Sequence, residues 1–354
     1  MRDTTVDIAK GVGILTVVLC HNWILYDNRG ELSRIVFSFH MPLFFFISGL
    51  FFKPNQPFTS LLASKADALL KPFFVVLMGL LLFNFLFHQP IIVLTELAKI
   101  FYASGTSVSL TPMWFLSHLF TVFILAWVLN KWVLSKIESH ISQKLLLLGL
   151  LLLGSQTMRI FWDKNWDIFG LTAMVFGEGT KFRGLPFNLD IILVTTAFFL
   201  AGHLLAKEML NFKFKPLFAL LALLSFSALH YFFNETLELN AREYGNFIIC
   251  TLQVILGVYL VFSLASLIKT SKILSAVLSY IGAASLYILI VHFYPQHMLT
   301  GIFQYHLPDY KFIVASICLV ASVVISLIAW EITMKSVWLY QLMLPIKKPV
   351  ESIQ

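Results

Sequence analysis

Lys10 and His21 are the first residues of this sequence whose types and spacing could do chemistry, and they share one apolar run between Ile8 and Tyr26. On a helix, eleven steps of about 100° return the second side chain to within about 20° of the first. At about 1.5 Å per residue the two stand roughly 16 Å apart, around half of a hydrocarbon core of about 30 Å. An ionisable side chain inside such a span faces a bundle interior or a wet cavity, and the default reading for it is functional. Imidazole is suited to taking a proton near neutral pH. An ammonium can hold an anion such as a phosphate, and Asp7, three residues before Lys10, can pair with it. Two plainer readings compete: His21 bonding a neighbouring helix, and Lys10 snorkelling to the headgroups.

A second apolar run carries His40 in the stretch Phe39-His40-Met41-Pro42-Leu43-Phe44-Phe45-Phe46-Ile47-Ser48-Gly49. Asp7-x2-Lys10, ten further residues, His21 and then this stretch closely resemble the start of membrane acyltransferases of the acyltransferase-3 family, most nearly its fucose-4-O-acetylase-like branch. Ser64-Lys65-Ala66-Asp67-Ala68-Leu69-Leu70-Lys71 is similar to the basic segment before the family's third span. It departs at Ala68, where a second basic residue is often found. Trp114-Phe115-Leu116 and Ile281-Gly282-Ala283-Ala284-Ser285-Leu286-Tyr287, followed by His292, also resemble family positions. The likeness covers nearly the whole chain, so residues 1–354 read as a single acyltransferase-3-like transmembrane domain; its specific part is the first fifty residues.

Those residues need elements to hold them, and the composition says which kind. The chain has 354 residues, 59% hydrophobic and 12% charged, with a mean hydropathy of +0.85. A soluble domain of this size could not cover its surface from that supply. Runs of about 20 apolar residues lie near 6–26, 34–53, 69–88, 112–130, 144–162, 187–206, 216–234, 245–268, 276–299 and 312–334. No period-2 alternation marks a barrel, so the expectation is an all-α integral membrane protein of about ten transmembrane helices. The first run is of full length and reads as a retained span. With the N-terminus cytoplasmic, sixteen of the 25 lysines and arginines fall on the inner side and nine on the outer, which puts both termini inside. The net charge of +7 is then positive-inside bias. Without a basic cluster interleaved with aromatics, it does not point to nucleic acid. Cys20, Cys250 and Cys318 lack CxxC spacing and indicate neither a disulfide framework nor a metal site.

In this topology His21, His40, His118 and His292 all fall in the outer halves of their spans, which favours a polar site opening outward. The eight tryptophans fall at span ends, Trp23, Trp114, Trp162 and Trp166 outer among them. A long outer loop from Arg159 to Pro186, with Trp162, Asp163, Trp166, Asp167, Glu178 and Arg183, reads either as a cover for a sugar or as a solvated loop. The loop around Glu235–Glu243 is acidic and says nothing sharper.

The resemblance implies an O-acetyltransferase that draws on cytoplasmic acetyl-CoA and acylates a hydroxyl of a cell-surface polysaccharide or its lipid-linked precursor, in a bacterial plasma membrane and without a metal. It implies His21 as the essential base. His40 either orients the sugar or His21 or packs the turn. Asp7, Lys10, Lys65, Trp114, His118, Ser285 and His292 are the substrate- and donor-binding candidates. An O-succinyltransferase of the same family remains open, as does a transporter or flippase for a lipid-linked sugar. Such carriers tend to show internal repeats or paired broken helices, and no repeat is visible here.

Overall fold

The computed structural model describes residues 3–22, 30–87, 93–162, 184–307 and 309–346. Trp23, His88, Asp163, Trp166, Asp167, Glu178 and Arg183 lie outside them, as does the side chain of Trp162. Helices α1 (Thr4–Cys20), α2 (Glu31–Phe37), α3 (His40–Leu50), α4 (Phe58–Lys65) and α5 (Lys71–Phe87) open the chain, the last two joined by a π-helical turn at Ala66–Leu70. Next come α6 (Val93–Tyr102), α7 (Trp114–Trp132), α8 (His140–Trp162), α9 (Ile192–Leu204), α10 (Ala206–Leu210) and α11 (Pro216–Phe232). A hairpin of two-residue strands, β1 (Leu237–Glu238) and β2 (Glu243–Tyr244), pairs Leu237 with Tyr244 and Glu238 with Glu243 in antiparallel register. The remainder is α12 (Phe247–Ile268), α13 (Lys272–Ala283), α14 (Ser285–Val291), α15 (Phe293–His306), α16 (Lys311–Lys335) and α17 (Val337–Met343).

Among the described residues, seven helical segments are long and apolar enough to cross a membrane, and α13 with α14, bent by 60°, make an eighth. The other two of the ten expected runs are helices of 17 residues, α1 and α11. Two boundaries differ from the sequence expectation for physical reasons. The first helix ends at Cys20, where the His21 side chain turns back onto a carbonyl of its last turn. The expected span 276–299 breaks at Ala284 and restarts at Ser285.

Hydrophobic matching holds no helices together inside lipid, so close contact must come from small residues that let backbones meet. Two reciprocal glycine crossings do this. A Cβ on Gly49 of α3 would overlap the carbonyl of Phe199 in α9, and one on Gly202 of α9 would overlap the carbonyl of Phe46 in α3. Likewise a Cβ on Gly11 of α1 would overlap the carbonyl of Leu278, and one on Gly282 of α13 that of Asp7. The Ile281–Tyr287 stretch thus packs a broken span against α1. Around these crossings Ile8, Leu43, Phe45, Phe199 and Phe262 are fully buried, while Phe83, Leu224, Phe312 and Val320 face outward, as lipid contact requires.

Gly202→Val should force α3 and α9 apart and cost about 1–3 kcal/mol, the usual cost of overpacking. Thermal unfolding of the detergent-solubilised protein reads this directly. An unchanged midpoint would mean the two backbones are not locked together.

Candidate active site

The end of α1 is organised by its unsatisfied carbonyls, because the last turn of any helix leaves acceptors without an intrahelical donor. His21 supplies one: its Nδ1–H donates to the Val17 carbonyl at 2.9 Å, a bond that basic side chains at helix C-termini commonly make. A neighbouring helix supplies another. Gln296 Nε2 donates to the Val18 carbonyl at 3.1 Å; in the opposite sense, Asn22, just past the helix end, donates from Nδ2 to Ala315 O of α16 at 2.8 Å. The ring of His21 also lies 5.1 Å from that of His292, centroid to centroid, and packs edge-on against Phe293.

The tautomers follow from carbonyls that can only accept. His292 donates from Nδ1 to the Ile288 carbonyl at 2.6 Å, which leaves its Nε2 as an acceptor 3.3 Å from His21 Nδ1. The single Nδ1–H of His21 is therefore shared between Val17 O and His292 Nε2. Its own Nε2 is left with a free lone pair, the state required of a base. His40 repeats the device, its Nδ1–H donating to the Val36 carbonyl at 2.9 Å across the turn between α2 and α3.

His21, His40, Met41, Thr111, Trp114 and Phe293 line one cavity of about 200 Å³. The residues named from the sequence thus divide by position. His21, His40 and Trp114 meet in this cavity, and His292, fully buried, stands behind His21. His118 lies one layer back, between α7 and α9. Its Nδ1–H donates to Phe187 O at 2.9 Å, its Nε2 pairs with the Thr195 hydroxyl at 2.8 Å, and its ring lies 5.9 Å from Trp114. Both nitrogens being occupied, it holds Trp114 and the segment before α9 rather than offering a lone pair. Ser285 does not line the cavity and begins α14 at the bend.

The cations gather elsewhere. Lys10 Nζ is 3.9 Å from Asp7 and 5.2 Å from the centre of the Phe51 ring. Lys65 Nζ sits 4.0 Å over Phe123, whose ring is 6.2 Å from that of Phe52. Both lysines therefore lie about the Phe51–Phe52 end of α3, and His40 begins its other end. Eleven residues of helix separate His40 from Phe51, as eleven separate Lys10 from His21, roughly 16 Å in each case. Asp7 also lines a cavity of about 450 Å³ with Lys269 and Lys272, two cations that positive-inside counting alone did not single out.

Sequence reasoning missed Cys20, Glu238, Leu239 and Asn240, which complete the wall of the histidine cavity. Cys20 is adjacent to His21 but is a lone apolar-run cysteine by type. The hairpin residues come from a short loop 217 positions beyond His21, and acidity alone does not say which cavity a loop will cover.

Comparison with known proteins shows the family of the chain. The profile of the acyltransferase 3 family, described as an acyltransferase domain, matches residues 3–331. The nodulation protein NolL of Sinorhizobium fredii (strain NBRC 101917 / NGR234) is 29% identical over 154 residues, covering 38% of this chain and 40% of that protein. The chain thus aligns with well under half the length of that relative. No solved structure matches the chain.

Proposed function

Since the chain belongs to the acyltransferase 3 family and is a multi-pass helical membrane protein, we propose that it is an O-acetyltransferase. In this reading it takes acetyl groups from cytoplasmic acetyl-CoA and esterifies a hydroxyl of a surface polysaccharide or its lipid-linked precursor. A bacterial inner membrane, with both termini cytoplasmic, is the setting this implies. The observation that carries it is His21, held as the Nδ1–H tautomer by Val17 and His292 with Nε2 left for the cavity. NolL, by its printed name a nodulation protein, adds a partial likeness and no substrate.

His21 Nε2 takes the proton of the attacking hydroxyl as its oxygen bonds the acyl carbon. It returns that proton to the sulfur as the carbon–sulfur bond breaks, so an alcohol and a thioester become an ester and a thiol. General-base help of this kind contributes about 10²–10⁴-fold. The imidazolium formed between the two transfers is stabilised by the Val17 carbonyl and by His292 Nε2, which both accept from Nδ1–H; no carboxylate is required there. His40, pinned in the same way, presents its own Nε2 to the same cavity and orients the acceptor hydroxyl. Coenzyme A supplies the acyl group as a thioester at the end of a long flexible arm. The donor set fits its phosphates: Lys10 and Lys65 are ammonium groups at one end of α3, some 16 Å from the histidines by helix rise.

That separation favours an enzyme worked from two sides, and sidedness is the test. In sealed inside-out vesicles, acetyl-CoA added to the bath should acylate a glycan trapped in the lumen, whereas right-side-out vesicles given external donor should not. Transfer that requires donor and acceptor on the same side would overturn the two-sided arrangement. Sugar translocation without acylation would favour a carrier instead.

A further inference from the structure

The wall of the histidine cavity that no span supplies is the β1–β2 hairpin. Strands of two residues are too short to hold a position by their own pairing, yet this hairpin is fixed. The guanidinium of Arg242 donates from Nε to Asp190 Oδ2 at 2.8 Å and from Nη2 to Asn188 Oδ1 at 2.7 Å. Its Nη1 bonds the Asn240 carbonyl at 2.8 Å. Both charged side chains are wholly buried, at 0% exposure. Asn188 Oδ1 also accepts from Gly105 N at 3.3 Å, and Leu185 N donates to Asp190 Oδ1 at 2.9 Å. Ala103, Phe187, Asn188 and Arg242 all have φ between 55° and 57°, left-handed backbone that non-glycine residues adopt only where surroundings impose it, commonly beside functional sites.

This anchorage sets Glu238 and Asn240 at the cavity. Glu238 is the one carboxylate among the described lining residues. The amide oxygen of Asn240 is buried without a hydrogen-bond partner and pressed against Gly105, where no larger residue would fit. A buried amide oxygen left so among the described residues is costly. With Thr111 and Trp114 also lining the cavity, the chemistry is a polar, partly aromatic surface that suits a polyol.

Building on the acyltransferase reading, we propose that Glu238 and Asn240 are the acceptor subsite and take a sugar ring through a hydroxyl adjacent to the one acylated. The Glu238 carboxylate accepts that neighbouring hydroxyl and the Asn240 side-chain N–H donates to a ring oxygen beside it, so the reacting hydroxyl is delivered to His21 Nε2. A cavity of about 200 Å³ admits one ring at a time, with the rest of the glycan outside. Neutral vicinal diols are therefore the acceptor class.

The probes are methyl hexopyranosides and their monodeoxy analogues, with acetyl-CoA as donor and purified protein in detergent; ester product is followed by mass spectrometry. Glu238→Gln should raise the acceptor KM about 10- to 100-fold, the range of one charge-assisted hydrogen bond, with donor affinity within about twofold of wild type. For wild type, removing the neighbouring hydroxyl from the probe should cost a similar factor; for Glu238→Gln it should cost little more, because the two changes delete one contact. Asn240→Ala should raise the acceptor KM by a smaller factor. Quenching of tryptophan fluorescence by the glycoside gives the same comparison without turnover, and Glu238→Asp serves if the glutamine variant is unstable. An unaltered acceptor KM in a folded Glu238 variant, or a deoxy penalty as large in Glu238→Gln as in wild type, would overturn the subsite while leaving the acyltransferase reading intact. Wild-type protein that esterifies and binds none of the glycosides would overturn both.

Discussion

His21→Ala lowers acyl transfer by about 10²–10⁴-fold at matched protein levels, the contribution of one general base, and leaves the protein folded. The fold should tolerate the change because His21 caps α1 from outside it and is not among the fully buried residues. The Val17 carbonyl keeps a donor after the ring is gone, since the backbone N–H of residue 21 bonds it at 3.2 Å. Gln296 and Asn22 still tie the same helix end to its neighbours. What disappears is the one Nε2 whose tautomer is set by two acceptors. His292→Ala should therefore have a lesser effect on the same assay, because Val17 O alone still holds Nδ1–H. Normal ester formation by His21→Ala, with an unchanged thermal unfolding midpoint, would remove His21 from the chemistry and leave it as a helix cap.

The Lys10–His21 register was legible because a helix converts sequence spacing into position: eleven residues fix both a shared face and an axial gap. His40 was legible for the same reason, as the first residue of a helix whose third is Pro42. The positions of His118 and Ser285 were not, although depth in the membrane was read for His118 as for the others. Depth is one coordinate, and rotation about the helix axis decides whether a ring enters the cavity or, as with His118, turns to the Phe187 carbonyl and Thr195. The bend at Ala284 escaped hydropathy because Ile281-Gly282-Ala283-Ala284 is as apolar as any span. Its signal was the small residues, which the contact between Gly282 and α1 explains. The hairpin escaped entirely. Neither strand has a length that alternation could reveal, and its hold comes from Arg242 reaching Asp190 across 52 positions, a pairing that no local pattern encodes.

That pairing carries the last expectation. Asp190→Ala should destabilise the protein by about 3–5 kcal/mol, the cost of leaving one member of a buried ion pair without its partner. Arg242 has no route to solvent, both side chains being at 0% exposure, and the Leu185 N–H loses its acceptor in the same change. The double change Asp190→Leu with Arg242→Met should cost less than the sum of the two single ones, because replacing both charges by apolar groups removes the desolvation penalty together with the attraction. In the native protein burial, and then the Asp190 carboxylate, push the Tyr102 phenol up to about 12; burial, the larger cause, persists in Asp190→Ala, so Tyr102 should remain a neutral donor to the Gly184 carbonyl at 2.6 Å and offer Arg242 no charge. Thermal unfolding in detergent measures the stability. Acceptor KM measures the consequence, since a hairpin released from Asp190 no longer holds Glu238 and Asn240 at the cavity that His21 lines, while the donor contacts proposed for Lys10 and Lys65 at the far end of α3 should be unaffected. Asp190→Ala protein as stable as wild type would mean that the hairpin is held by its loops and not by the buried pair.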